Sequence, residues 1–117
     1  MLDTYKGKLF LVLNPESLLT TNKRNKSKKI YNPPKMTSAG VFRVSGTINI
    51  DGIDPWEYYV SWIRNAPHGK VFVLALGEPT NAVYGLQGDS IRVIPVLLGN
   101  NRIVYAYENT LLETDLL

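Results

Sequence analysis

GLQGDSIRVIPVLLGN, Gly85 to Asn100, joins a turn signal to a strand signal. Gln87-Gly88-Asp89 reads as a tight polar turn. It feeds an apolar run, Ser90 to Leu98, of strand length. Pro95 has no N–H to donate, so it places an edge or a bulge near the end of that strand. Gly99-Asn100-Asn101 then reads as a hairpin turn into a further strand, Arg102 to Tyr107. Just upstream, VFVLAL (Val71 to Leu76) is continuously apolar, which predicts a central strand buried on both faces. Gly77 to Asn81 is a loop, and Val83-Tyr84 adds a short edge strand.

Toward the N-terminus, KLFLVL (Lys8 to Leu13) is another strand-length run, stopped by Asn14-Pro15. Leu9, Leu11 and Leu13 share one face; Phe10 and Val12 share the other. Two apolar faces mean a strand covered on both sides, or a strand with one face at an interface. Glu16 to Thr21 fits a single helical turn. Asn22 to Ser38 has no usable periodicity, and Asn32-Pro33-Pro34 breaks any helix or ladder. A loop of that length in a compact domain is usually functional or disordered, and it reads as a basic extended arm over 22–38. Gly40 to Ile50 alternates: Phe42, Val44, Ile48 and Ile50 point one way, and Arg43, Ser45, Thr47 and Asn49 the other. That predicts a half-buried strand, with Gly46 marking a bulge or a close helix.

The spacing predicts one helix, over about 54–66. Asp54 can cap, Pro55 suits the first helical position, and Glu57 sits three residues after the cap. Trp56, Tyr59, Val60 and Ile63 form an i, i+3, i+4, i+7 stripe, and Asn65-Ala66-Pro67 ends it. Tyr58 and Trp62 lie off the stripe, four residues apart. They are candidates for a partner contact, since interfaces favour Tyr and Trp; the alternative is that Trp62 covers the sheet edge. Leu111 to Leu117 is amphipathic, so residues 108–117 read as a C-terminal docking segment.

The chain has 117 residues, 44% apolar and 20% charged, which fits one soluble domain with a real core. Its apolar runs all fall well short of the roughly 20 residues a membrane helix needs, so no membrane insertion is expected. MLDTYKGKLF lacks a signal peptide's apolar segment. There is no Cys, which excludes disulfides, thiolate catalysis and Cys-ligated metal sites. The net charge of +3 is unevenly spread: Ser17 to Ile50 holds seven Lys or Arg and no acid, and the remainder holds six basic and ten acidic residues. His68 is the only histidine; it has no Asp, Glu or Ser at a suggestive spacing, and it reads as a helix-end residue rather than a base or ligand. No metalloprotease, nucleophile-elbow or phosphate-loop pattern is present. The expectation is a non-enzymatic protein with no catalytic, cofactor or metal site.

Leu86, Gly88, Asp89, Ile91, Val93, Pro95 and Gly99 together resemble the C-terminal signature of β-grasp, ubiquitin-like domains. The similar families are the small sulfur-carrier proteins and the lambda-like phage tail assembly protein I. The resemblance implies an α+β fold, a mixed sheet packed by the 54–66 helix, with the basic arm between the first two strands and a C-terminal hairpin extension. Sulfur carriers end in a free Gly-Gly, whereas this chain continues past Asn101 to Leu117, so their carboxylate chemistry is not implied. The phage family also continues past the motif. The likeness therefore implies a structural or assembly protein of a phage tail or virion, made in the host cytoplasm. Such a protein would contact neighbouring subunits or its own copies through the arm and C-terminus.

Two other readings stay open. Lys23, Arg24, Lys26, Lys28, Lys29 and Lys35, with Tyr31 among them, could track a phosphate backbone while the tyrosine stacks on a base. The same lysines also fit a solvated loop or one that faces an acidic protein, and no nucleic-acid-binding signature accompanies them. A small ubiquitin-like regulator or inhibitor of a host enzyme is the third reading.

Overall fold

The computed structural model describes residues 4–23, 35–36, 42–43, 48–85 and 89–114. Among them are eleven strands: β1 (Leu9–Val12), β2 (Leu19–Lys23), β3 (Lys35–Met36), β4 (Phe42–Arg43), β5 (Ile48–Ile50), β6 (Tyr58–Trp62), β7 (Val71–Ala75), β8 (Thr80–Tyr84), β9 (Ser90–Leu97), β10 (Ile103–Tyr107) and β11 (Leu111–Glu113). The only helical pieces described are two single 3-10 turns, Pro15–Ser17 and Glu108–Thr110. The protein is all-β, so the expected α+β class and the β-grasp architecture are both wrong. No helix among the described residues is long and apolar enough to cross a membrane.

The predicted helix over 54–66 fails for a local reason. Its capping signals are real but serve one turn only. Asp54 Oδ1 accepts from the Trp56 N–H at 2.9 Å, and the Asp54 carbonyl accepts from the Glu57 and Tyr58 N–H groups at 3.1 and 2.9 Å. The chain then extends as β6, where Ile48 pairs with Val60. Tyr58, Tyr59, Val60 and Trp62 are β-branched or aromatic and fit a half-buried pleated surface better than a helix. Val60 is buried and Tyr58 and Trp62 are exposed. The Asn65-Ala66-Pro67 stop is also real, with Asn65 at φ 54, but it comes after a strand.

The chain divides into two compact units, and β2, β6, β8 and β9 contribute residues to both. The first comprises Met1–Thr20, Trp62–Thr80 and Arg92–Leu117. Here β1 lies between β11 and β7, all antiparallel, with Phe10 opposite Glu113 and Val73, and Val12 opposite Leu111 and Val71. Strand β7 pairs with β9 (Ala75 with Val96), β9 with β10 (Val96 with Val104, Ile94 with Ala106), and β10 with β2 through Tyr105 and Leu19. One alternating set of side chains therefore meets in a single core: Phe10, Val12, Val73, Ala75, Ile94, Val96, Val104 and Ala106, joined by Leu18, Ile63 and Leu98. Tyr5 stacks on Phe10 with ring centroids 5.6 Å apart.

The stretch Gly85 to Asn100 keeps its strand and loses its family. Gly85 has φ 62, Leu86 to Gly88 lie outside the described residues, and β9 starts at Ser90. Pro95 sits inside β9, not at an edge of it, with Tyr105 opposite on β10. Its carbonyl accepts from the Leu76 N–H at 2.8 Å. The N–H and C=O of one strand residue point the same way, so the absent donor faces the end of the β7 ladder, whose last pair is Ala75 with Val96. Gly77 lies under the ring, where an added Cβ would come within 3.2 Å of Pro95 Cγ. The hairpin turn at Gly99 to Asn101 forms, closed by Leu98 N–H to Arg102 O at 2.8 Å, with Asn101 at φ 63. That hairpin is not an extension: Val104 and Ala106 are fully buried.

The second unit comprises Thr21–Ser61 and Asn81–Ile91. In it β5 lies between β6 and β8, pairing Ile48 with both Val60 and Tyr84 and Ile50 with Ala82. Ile48, Ile50, Val60, Ala82 and Val83 are buried. Ile50 to Ile53 closes a turn through Ile53 N–H to Ile50 O at 3.0 Å, with Gly52 at φ 91 supplying the positive φ. Strands β3 and β4 pair with each other, Met36 opposite Phe42. The expected strand over Gly40 to Ile50 is thus described as β4 and β5, and 44–47, with the Gly46 bulge, lies outside the described residues.

Candidate functional site

The second alternating set of the first unit is covered at Leu19 and Val93, which are buried, and open over β11, β1, β7 and the adjoining ends of β9 and β10. Leu9 on β1 stands opposite Leu74 on β7, Leu74 opposite Leu97 on β9, and Leu97 opposite Ile103 on β10. Two residues along, Leu112 on β11 stands opposite Leu11, and Leu11 opposite Phe72. Directly opposed side chains have Cβ atoms about 5 Å apart, and the two rows are about 7 Å apart along the strands. Seven large apolar side chains therefore make two adjacent rows over five strands, with no charged or polar residue within either row.

Phe72 is 47% exposed, Leu74 37%, Ile103 59% and Leu112 47%, while Leu9, Leu11 and Leu97 are half-buried. Those four exposed fractions correspond to roughly 300–350 Å² of apolar surface, with large side chains presenting about 180 Å² each when free. Single exposed apolar residues are ordinary; a contiguous patch of roughly 300–350 Å² has the size of the largest patch on a typical monomer, which is often functional. The sequence expectation that Val71 to Leu76 is buried on both faces is therefore corrected. Val73 and Ala75 are buried, and Phe72 and Leu74 face outward. Phe72, Leu74 and Leu112, which stand opposite Leu11 and Leu9, are exposed, so the strand over Lys8 to Leu13 is not fully covered on both sides.

Beside this face a polar clamp holds residues 5–8. The Glu78 carboxylate accepts from the Tyr5 and Lys6 N–H groups at 2.8 and 3.0 Å. The Lys6 N–H and then the Tyr5 N–H hold the Glu78 carboxyl below its ordinary value. Tyr5 Oη donates to Glu108 Oε2 at 2.8 Å, and Arg92 Nε lies 3.2 Å from Glu108 Oε1. The hydrogen bond to Glu108, then burial, raises the Tyr5 phenol above its ordinary value. Arg92 is well exposed, so its ion pair contributes little on its own. Gly7 N–H to Ala75 O and Ala75 N–H to Lys8 O, both 2.9 Å, complete the fastening of this segment to β7.

The residues singled out from sequence fall elsewhere. Lys23 is exposed at the end of β2 and Lys35 opens β3; Arg24, Lys26, Lys28, Lys29 and Tyr31 lie outside the described residues. Tyr58 and Trp62 share β6, where four residues span about 13 Å. Both are exposed, on a strand where a helix was expected. Of the signature residues, Leu86 and Gly88 lie outside the described residues, Asp89 and Gly99 are exposed, Ile91 and Pro95 are half-buried, and Val93 is buried. His68 is exposed in the loop after Ile63. Among the described residues no three His, Asp or Glu side chains group to hold a metal ion. In the second unit, a depression of about 220 Å³ open to solvent is lined by Ile48, Ile50, Ile53, Pro55, Tyr58 and Val60. It is smaller than the several hundred Å³ typical of ligand pockets.

No family model, curated protein or solved structure matches the chain. The β-grasp likeness, and with it the phage-tail and sulfur-carrier expectations drawn from it, rested on a turn followed by a strand, which an all-β chain uses equally well.

Proposed function

We propose that this chain is a non-catalytic protein-binding module that works through the apolar face of its first unit. The observation that carries the reading is the pair of cross-strand rows, Leu9–Leu74–Leu97–Ile103 and Leu112–Leu11–Phe72, on a sheet whose opposite face is a closed core. Removing roughly 300–350 Å² of apolar surface from water is worth about 8 kcal/mol. Lost translational and rotational freedom costs about 4–15 kcal/mol on association. The two are comparable, so this face supports a reversible contact and draws the rest of its affinity from a polar rim.

Solvent accessibility tests the reading. With methyl-labelled protein at high dilution, a paramagnetic co-solute should broaden the methyls of Leu74, Ile103 and Leu112 strongly, and those of Val73, Val96 and Val104 weakly. Equal protection of both sets would mean that the chain covers the face itself, and the reading would fall.

A further inference from the structure

We propose that the occupant of this face is a second copy of the same chain, docked sheet to sheet about a two-fold axis lying in the plane between them. The inference rests on the protein-binding reading above and goes beyond it by naming the partner. Three observations point to self-association.

The face is self-complementary. A two-fold contact sets one surface against itself, so any charge in it meets its own likeness unless a partner group lies across the axis. The two rows hold Leu, Phe and Ile alone, and no such matching is needed. Phe72 and Leu74 lie on β7, the middle strand of the five in the order β11, β1, β7, β9, β10. An axis passing near them places each copy's most central apolar pair against its counterpart. Twisted sheets stack this way at about 10 Å separation with side chains interleaved.

The electrostatics permit it. The first unit carries six basic residues (Lys6, Lys8, Arg64, Lys70, Arg92, Arg102) and six acidic ones (Asp3, Glu16, Glu78, Glu108, Glu113, Asp115). Its net charge is zero, and the whole excess of +3 belongs to the second unit, with seven basic and four acidic residues. Surfaces with no net charge associate without long-range repulsion. The face likewise offers nothing to a partner recognised through acidic or basic groups.

The competing edge route is blocked. β11 ends the sheet of the first unit and is only three residues long. Glu113 stands opposite Phe10 and is exposed at that edge. A very short edge strand that carries a charge is how sheets resist pairing edge to edge. Face packing is the route left open. The apolar area is smaller than the roughly 800 Å² per partner of standard stable interfaces, so the dimer is a weak one.

The experiment is sedimentation velocity over about 10 μM to about 1 mM, a range suited to a small interface, on wild type, Phe72→Thr/Leu74→Thr, Ile103→Thr and Tyr58→Thr. Threonine keeps strand propensity on an exposed face, and circular dichroism checks that each variant folds. Wild type and Tyr58→Thr should pass from monomer to dimer together. The double variant should raise Kd at least tenfold, and Ile103→Thr less; if the double variant does not fold, Ile103→Thr still carries the comparison. A wild type that stays monomeric at the highest concentration overturns the proposal, as does a dimer that neither variant weakens. The dilute-protein methyl accessibilities separate the two readings. An accessible face on a chain that never dimerises removes the second copy and leaves protein binding standing. A face shielded in the dilute monomer removes both.

Discussion

Two phenylalanines on neighbouring strands divide the buried face from the open one, and truncating each gives a quantitative test. Phe10 is 1% exposed, stacks on Tyr5 and stands opposite Val73. Phe72 is 47% exposed and stands opposite Leu11, one register step away on the other side of the same sheet. Truncating a buried Phe to Ala costs about 3–5 kcal/mol, from lost transfer energy and the cavity left behind. Phe72→Ala loses only its half-buried part and some strand propensity, about 1 kcal/mol. The expected difference is therefore about 2–4 kcal/mol for one chemical change at two sites. The assay is urea unfolding of dilute protein, where slopes of about 1–3 kcal/mol/M turn that difference into a midpoint gap on the order of 1–2 M. Phe10→Leu, which leaves a smaller cavity, serves if Phe10→Ala is unfolded from the start. Equal losses at the two sites would refute the division of faces, because they would mean that Phe72 is buried in the folded monomer.

The clamp on residues 5–8 gives two more expectations. Tyr5→Phe removes the donor to Glu108 and should cost about 0.5–1.5 kcal/mol; for the wild type, the raised phenol means the tyrosine's contribution is intact below its unfolded value and is lost as pH rises through its folded one. Stability curves of the two proteins at alkaline pH should converge. Glu78 behaves oppositely: its lowered value means that its contribution holds above the unfolded carboxyl value and fades as pH falls through the folded one. Protection factors at Tyr5 and Lys6, corrected for intrinsic exchange, should fall in acid before that at Val73 does, and Glu78→Gln should show lowered protection at neutral pH. Tyr5 and Lys6 amides that stay protected in Glu78→Gln would contradict the clamp.

Signals in this chain are legible where they act locally. Asn14-Pro15, Asn65-Ala66-Pro67 and Gly99 to Asn101 all turn the chain, and Leu9–Val12, Val71–Ala75, Ser90–Leu97 and Ile103–Tyr107 are strands. Whatever depends on distant pairing is not legible. Asp54-Pro55-x-Glu57 opens a turn in a helix or before a strand, and the partner that decides the matter is Ile48, opposite Val60. A stripe at 56, 59, 60 and 63 fits helical spacing, yet tertiary pairing overrides so short a pattern. The resemblance goes astray similarly: a leucine, a Gly-Asp turn and an apolar strand describe two local elements, and neither says whether a helix or another sheet layer packs beside them. The open face is half legible. KLFLVL and VFVLAL show apolar residues in both alternating sets, which says that each strand has two faces to satisfy. Only the register of Leu11 with Phe72 and Leu112, and of Leu74 with Leu9 and Leu97, shows that one set adds up to a continuous patch. The β1–β11 pairing joins opposite ends of the chain, Phe10 with Glu113, and no local pattern carries it.

The central claim is that one face of this sheet is a core and the other an open contact surface. Because the chain has no cysteine, single-site alkylation reads this directly. Phe72→Cys and Val73→Cys place thiols on adjacent residues of β7 that point to opposite faces. At high dilution and without denaturant, Phe72→Cys should react with a small maleimide at nearly the rate of an unfolded control. Val73→Cys should react only as the protein unfolds. If both thiols are protected in dilute native protein, the face is already covered and the account is wrong.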